Sequence, residues 1–146
     1  MKFLIQKVKN LKIEEREVNE PASPSLGEGF LIYVGIEKGD EHKNLKEIVN
    51  YLENLQIVDK EGKFSQKIKD IKPKLIFISN ITLLANFEKT RINFNQALEP
   101  NKAKEIFNNF IKIWQDLGYK VFYKEFGSFL EISSTNLGPI NFILEL

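Results

Sequence analysis

The chain of 146 residues has no cysteine. Disulfides, thiolate nucleophiles and cysteine-held metals are therefore excluded. It has one histidine, His42, so imidazole-dependent hydrolysis would have to run through that residue. Its position two residues after Asp40 reads as a solvated first helical turn. The shortage of ligands argues against a structural zinc site, and the acidic residues form no clustered motif for magnesium; no metal and no cofactor are expected. No apolar run is long enough to cross a bilayer. The start, Met1-Lys2-Phe3-Leu4-Ile5-Gln6, turns polar too early for a secretory signal. A cytoplasmic protein without a membrane partner is expected. Strong charge is lacking too: the net charge of +1 argues against a broad phosphate-coating surface, but not against a grip on one end of a nucleic acid.

The hydrophobic fraction of 42% and charged fraction of 28% suit one globular domain over residues 1–146. Residues 1–18 read as extended, and Pro21-Ala22-Ser23-Pro24-Ser25 as a loop. The apolar runs at 30–36 and 75–78 have the character of strands buried on both faces. Asp40 is the expected N-cap of a helix whose stripe is Leu45, Ile48, Val49, Leu52 and Leu55. Ile57-Val58 is a short strand turned by residues 59–62. Residues 86–100 show no periodicity and read as a long loop. A second helix starts near Pro100, with Ala103, Ile106, Phe107, Phe110, Trp114 and Leu117 on one face and Gly118 closing it. Strands follow at 119–123 and 128–133, then a turn at 135–139 and a last strand at 140–146. The expected fold is α+β, a single domain with a curved, barrel-like, mostly antiparallel sheet and two main helices.

Two segments carry chemistry. Ser79-Asn80-Ile81-Thr82-Leu83 interrupts the end of a buried strand and resembles the Ser-Gln-x-Thr-Leu signature of the D-aminoacyl-tRNA deacylases. Asn136-Leu137-Gly138-Pro139-Ile140-Asn141 resembles that family's Asn-x-Gly-Pro-Val-Thr signature. Gln6-Lys7-Val8, Val34-Gly35-Ile36-Glu37-Lys38-Gly39-Asp40, Gly62-Lys63-Phe64, Arg91-Ile92-Asn93-Phe94 and Phe126-Gly127-Ser128 match further family fragments in the same order. The departures are Asn80 for Gln, Asn141 for Thr, Lys7 for Arg, and Ile92-Asn93 for Pro-Ser.

The resemblance implies hydrolysis of the ester joining a D-amino acid, and by extension glycine, to the 3′ end of tRNA. It also implies assistance from the substrate's own ribose 2′-hydroxyl. Ser79, Asn80, Ile81 and Thr82 would form the catalytic segment, with backbone N–H donors at Ile81 and Thr82. Thr82 has no adjacent base in sequence to make it a nucleophile. The family is a homodimer whose Gly-Pro pair, with a cis peptide, enters the partner's site. Gly138 and Pro139 would there face the amino acid's ammonium and exclude an L side chain, with Asn136, Asn141 and Lys7 in support. Lysine offers a point donor where arginine offers a planar fork, so looser rejection of glycine and small L-amino acids is expected. By itself Gly138-Pro139 reads as a plain turn between two strands, and Asn80 and Asn141 also read as a pair of solvated turn asparagines, for Asn141 with equal weight. Phe94, Phe126 and Phe129 serve either as stacking faces for the terminal adenine or as core. The competing readings are a homologue that binds tRNA ends without turnover and an interaction dimer.

Overall fold

The computed structural model describes residues 1–15 and 26–146; the loop expected at 21–25 and the end of the first extended segment lie outside the described residues. A five-stranded sheet has the order β8-β5-β2-β1-β9. Its members are β1 (Lys2–Glu15), β2 (Gly29–Gly35), β5 (Leu75–Ser79), β8 (Val121–Tyr123) and β9 (Leu130–Glu145). Between them lie α1 (Leu45–Glu53), the hairpin β3 (Val58–Lys60) and β4 (Lys63–Gln66), the one-turn α2 (Ile68–Ile71), the hairpin β6 (Asn86–Glu88) and β7 (Arg91–Asn93), and α3 (Pro100–Asp116). Among the described residues, no helix is long and apolar enough to cross a membrane.

The α+β class, the two main helices and the predominance of antiparallel pairing are as expected, within a sheet that is mixed. β1 pairs antiparallel with β2 and β9, whereas β2–β5 and β5–β8 are parallel. The reason is connectivity: α1 and α3 each lie in a crossover, which a parallel pair requires. Nearly continuous apolar runs in β2 and β5 follow, because helices cover one face and other strands the other.

The larger core lies under the helices. Phe3, Ile32, Val34 and Phe77 of the sheet meet Val49 and Leu52 of α1 and Phe107, Phe110 and Trp114 of α3. Phe77 sits edge-on to Phe110 with ring centroids 5.4 Å apart. Burying each such side chain contributes roughly 1.5–3 kcal/mol. The opposite face is closed by the sheet itself. The β1–β9 ribbon runs past the end of β2 and curls back, placing Leu11, Ile13, Leu130 and Ile132 on Leu31, Ile76 and Ile78. Asn10, at φ 54°, lies within the register shift between Lys9 and Lys12.

Three local expectations change. Asp40 opens a 3-10 turn, Asp40–His42, and the helix begins later under a different cap, Asn44, whose side chain accepts from Lys46 N–H at 3.1 Å. The stretch expected as loop at 86–100 contains the β6–β7 hairpin. The residues expected as a turn at 135–139 are an excursion within one long strand, β9. In contrast, α3 begins as read: Pro100 occupies its first turn, Glu99 caps Asn101 and Lys102 N–H at 3.0 and 3.1 Å, and Gly118 follows at φ 82°.

Asp40 is buried because it is a hub. Its carboxylate takes the Met1 ammonium at 2.8 Å, Glu37 N–H at 2.6 Å and Lys43 Nζ at 2.8 Å. Burial lowers the pKa of that ammonium, and Asp40 only partly offsets it. Removing one partner from a buried set leaves the others uncompensated. Asp40→Ala should therefore cost about 3 kcal/mol or more, read as a lower urea midpoint with an unchanged slope.

Candidate functional site

The carboxyl ends of β2, β5 and β8 open on the same edge of the sheet, since the three run parallel. A cavity of about 520 Å³ lies there. One wall is the end of β5 and the 3-10 turn Ile81–Leu84 that follows it; another is formed by Leu98, Pro100 and Ala103 at the start of α3; a third is the segment from Phe126 to Ile132. Gly35 lets this edge close: a Cβ there would lie 2.8 Å from Leu84 Cδ2.

Ser79, Asn80, Ile81 and Thr82 all line the cavity, as do Phe126 and Phe129. Asn80 N–H donates to Val34 O at 2.8 Å, extending the parallel ladder by one bond. Ser79 Oγ accepts from Gly127 N–H at 3.0 Å, tying the strand end to the third wall. Asn80 Oδ1 accepts from Thr82 N–H at 2.9 Å and from the Thr82 hydroxyl at 2.5 Å. Asparagine is short enough to cap the turn that follows it, an Asx arrangement. The Thr82 N–H is thereby occupied. No side-chain acceptor among the described residues reaches the Ile81 N–H.

Phe94 is half-buried and outside the cavity wall; Phe126 packs on Phe107 with ring centroids 5.9 Å apart, and Phe129 is 64% exposed. The sequence reading missed Tyr33, which stands on the wall with a phenol that burial pushes up from its ordinary pKa. The signal was in the β2 run, where one hydroxyl interrupts otherwise apolar residues.

The second signature lies elsewhere. Lys7 alone of β1 faces four residues of β9, because the register passes from Gln6↔Asn141 to Val8↔Asn136. The Gly138-Pro139 peptide in this excursion is cis. At φ 112°, Gly138 would place a Cβ 2.5 Å from Ile140 Cγ1 and 2.6 Å from Ile140 N, so no side chain fits. Amides brace its base: Gln6 Nε2 donates to Asn141 Oδ1 at 2.9 Å, Asn141 Nδ2 to Asn136 Oδ1 at 3.2 Å, and Asn136 Nδ2 to Lys7 O at 3.0 Å. The Lys7 ammonium points to acids, 2.6 Å from Asp59 and 3.3 Å from Glu28. The cross-strand register separates the two signatures. Lys7 is level with Phe30 and Leu75, and Val34 with Ser79; that is four residues along β5, or about 13 Å.

The chain matches the D-Tyr-tRNA(Tyr) deacylase family over residues 4–145. It belongs to that family. It is 34% identical over 147 residues to the D-aminoacyl-tRNA deacylase of Aquifex aeolicus (strain VF5), covering 99% of this chain and 97% of that one. It is 31% identical to the D-aminoacyl-tRNA deacylase of Lactobacillus acidophilus (strain ATCC 700396 / NCK56 / N2 / NCFM), over 100% of both chains. In fold, it superposes on a c-Myc DNA unwinding element binding protein with a TM-score of 0.86 at 23% identity, covering 100% of this chain and 99% of that one. A probable eukaryotic D-amino acid tRNA deacylase gives 0.85 at 11% identity, with 99% and 98% covered. At such identities these likenesses speak for the fold alone.

Two measurements check this geometry. Gly138→Ala should destabilise the protein by about 1–3 kcal/mol in urea, the worth of one strained backbone position. The second concerns Asp59, whose carboxyl Lys7 holds below its ordinary 3.8. A depressed carboxyl adds stability that is complete above that ordinary value and disappears as pH falls through the lower one. Asp59→Asn should thus flatten the acid limb of the stability curve below about pH 4, with Lys7→Met doing the same.

Proposed function

We propose that this protein hydrolyses the ester between a D-amino acid and the 3′-terminal ribose of tRNA, a proofreading step of translation in the cytoplasm. It acts as a homodimer in which Gly138-Pro139 of one subunit completes the cavity of the other. The observation that carries this reading is the separation of the two signature segments. The turn that lines the cavity and the excursion braced for projection lie about 13 Å apart along the strand direction, and neither Gly138 nor Pro139 lines the cavity of its own chain. A twofold dimer brings unlike ends of two copies together. The outer edge of β9, with Ile143 80% exposed beside it, supports that contact.

Catalysis in this scheme is placement. The ester carbonyl sits over the turn after β5, where the Ile81 N–H is aimed at developing negative charge. Water attacks the carbonyl carbon; the neighbouring ribose 2′-hydroxyl relays a proton from that water to the departing 3′ oxygen as the acyl C–O bond breaks, leaving free amino acid and tRNA. Thr82 is not the nucleophile: its hydroxyl is committed to the neutral amide of Asn80, which cannot take its proton. Chirality is read by rigid backbone. Two carbonyls from the partner's excursion hold the ammonium, and Pro139 occupies the space that an L side chain needs. Such exclusion exceeds what a missing methylene gives, about 1–3 kcal/mol.

One observation favours a slower enzyme that binds tRNA ends well. Asn80 Oδ1 already holds the Thr82 N–H, leaving one donor for the oxyanion where two stand in sequence. Hydrolysis of D-tyrosyl-tRNA against L-tyrosyl-tRNA, with chelator present, separates the readings. Loss of the D ester alone supports the enzyme, while tight binding without turnover supports the second reading. Thr82→Ala should keep its rate within about tenfold, whereas removal of a true nucleophile costs about 10⁴-fold or more. A loss of that larger size in a folded variant would overturn substrate-assisted attack.

A further inference from the structure

We propose that Tyr33 is a specificity-determining residue, its phenol hydroxyl hydrogen-bonding the edge of the terminal adenine of the tRNA. The inference rests on the deacylase reading and adds a residue that neither signature contains. Tyr33 lies in mid-sheet on β2, between Leu4 of β1 and Ile78 of β5. Its ring joins the smaller core beside Ile78, Leu130 and Ile132, and all four residues line the cavity. The side chain is half-buried, and burial is the cause that raises its pKa. Yet its hydroxyl has no hydrogen-bond partner among the described residues. It is not sealed off either, since among the described residues the enclosed side-chain polar atom without a partner is Trp114 Nε1. A half-buried hydroxyl on a residue that lines a cavity, without a partner among the described residues, is a donor and acceptor available to a ligand.

Of the other polar side chains on the wall, Ser79 Oγ is used by Gly127 N–H and the Thr82 hydroxyl by Asn80, whereas Asn80 Nδ2 and the Ser128 hydroxyl have no partner among the described residues. Those two lie on the turn and segment that rim the cavity, and Tyr33 differs in standing on a mid-sheet strand, where it offers a fixed polar contact within a wall of Ile36, Ile78, Leu98 and Ile132. A flat group with apolar faces and a polar edge fits such a wall, and a purine is that shape. The amino acid differs from one substrate to another, whereas the terminal base is the same in every tRNA. A rigid hydroxyl serves a constant group in each turnover, and a site built to hydrogen-bond discriminates strongly against a ligand that lacks the matching atom.

Tyr33→Phe removes one oxygen and keeps the ring, so the core is preserved. The KM for D-tyrosyl-tRNA should rise about 5- to 10-fold, the worth of one neutral hydrogen bond. The kcat should stay within about twofold, as for binding shared by ground and transition states. Substrates ending in purine riboside, 1-deaza-, 3-deaza- or 7-deazaadenosine locate the edge. One of them should cost the wild type the same factor and cost the variant nothing more. Unchanged KM in the variant, or a KM rise that follows the amino acid and ignores the base, would overturn the assignment. Adenosine binding, followed by NMR shifts in both proteins, gives a readout that needs no turnover. If the wild type hydrolyses no aminoacyl-tRNA, the deacylase reading fails. Weaker adenosine binding by the variant would still support the base contact, and equal binding would overturn it.

Discussion

The parallel pairing of β2, β5 and β8 is the constraint on which the rest of the structure depends. Parallel strands finish on one edge, and a ligand crevice forms naturally outside such carboxyl ends. Each crossover must return over the sheet, so α1 and α3 cover one face and bury β2 and β5 there. The β1–β9 ribbon curls over the other face. The result is a stiff pair of strands whose last residues have little freedom. Val34 O and Ser79 Oγ then fix what leaves the sheet, through Asn80 N–H and Gly127 N–H. Polar residues at the end of an apolar run are thus positioned by the core behind them. That is how a site on a turn acquires the precision of a strand.

The parts of the fold that periodicity specifies were legible in the sequence. The stripes of α1 and α3, the capping glycine after α3 and the apolar runs of β2 and β5 each follow from one local pattern. What depended on pairing was not legible. Parallel and antiparallel partners of a buried strand leave the same apolar signature, so the mixed sheet was invisible. Asp40 shows the same limit: its residue type suggested a helix cap, whereas its carboxylate is consumed by an ammonium and a backbone N–H brought from elsewhere. The residues 135–139 have the composition of a turn, and only their pairing on β1 either side of Lys7 makes them an excursion of one strand. The segment 79–82 at the end of β5 was recognisable by resemblance. Tyr33 was marked only as the one hydroxyl in an apolar run, a signal that acquires meaning once the cavity beside it is known.

The altered signature positions share a physical consequence. Asn80, one methylene shorter than glutamine, turns back on its own backbone and caps Thr82. Asn141 offers an amide where threonine offers a hydroxyl, and that amide both accepts from Gln6 and donates to Asn136. Lys7 places a single ammonium between two carboxylates. In each case a polar group in a signature is spent on bracing its own scaffold. Bracing raises precision, since a projection held by several amides wanders less than one held by backbone alone. It also removes donors from the ligand's reach, as at the Thr82 N–H. Electrostatic stabilisation of an oxyanion depends on the number and aim of such donors, whereas chiral exclusion depends on rigidity. The two properties therefore respond differently to the same changes: under the proposed reading, Asn80 takes the Thr82 N–H away from the ester, Asn136 and Asn141 brace the excursion, and Lys7, held by Asp59 and Glu28, leaves the excursion without the planar fork an arginine would offer it.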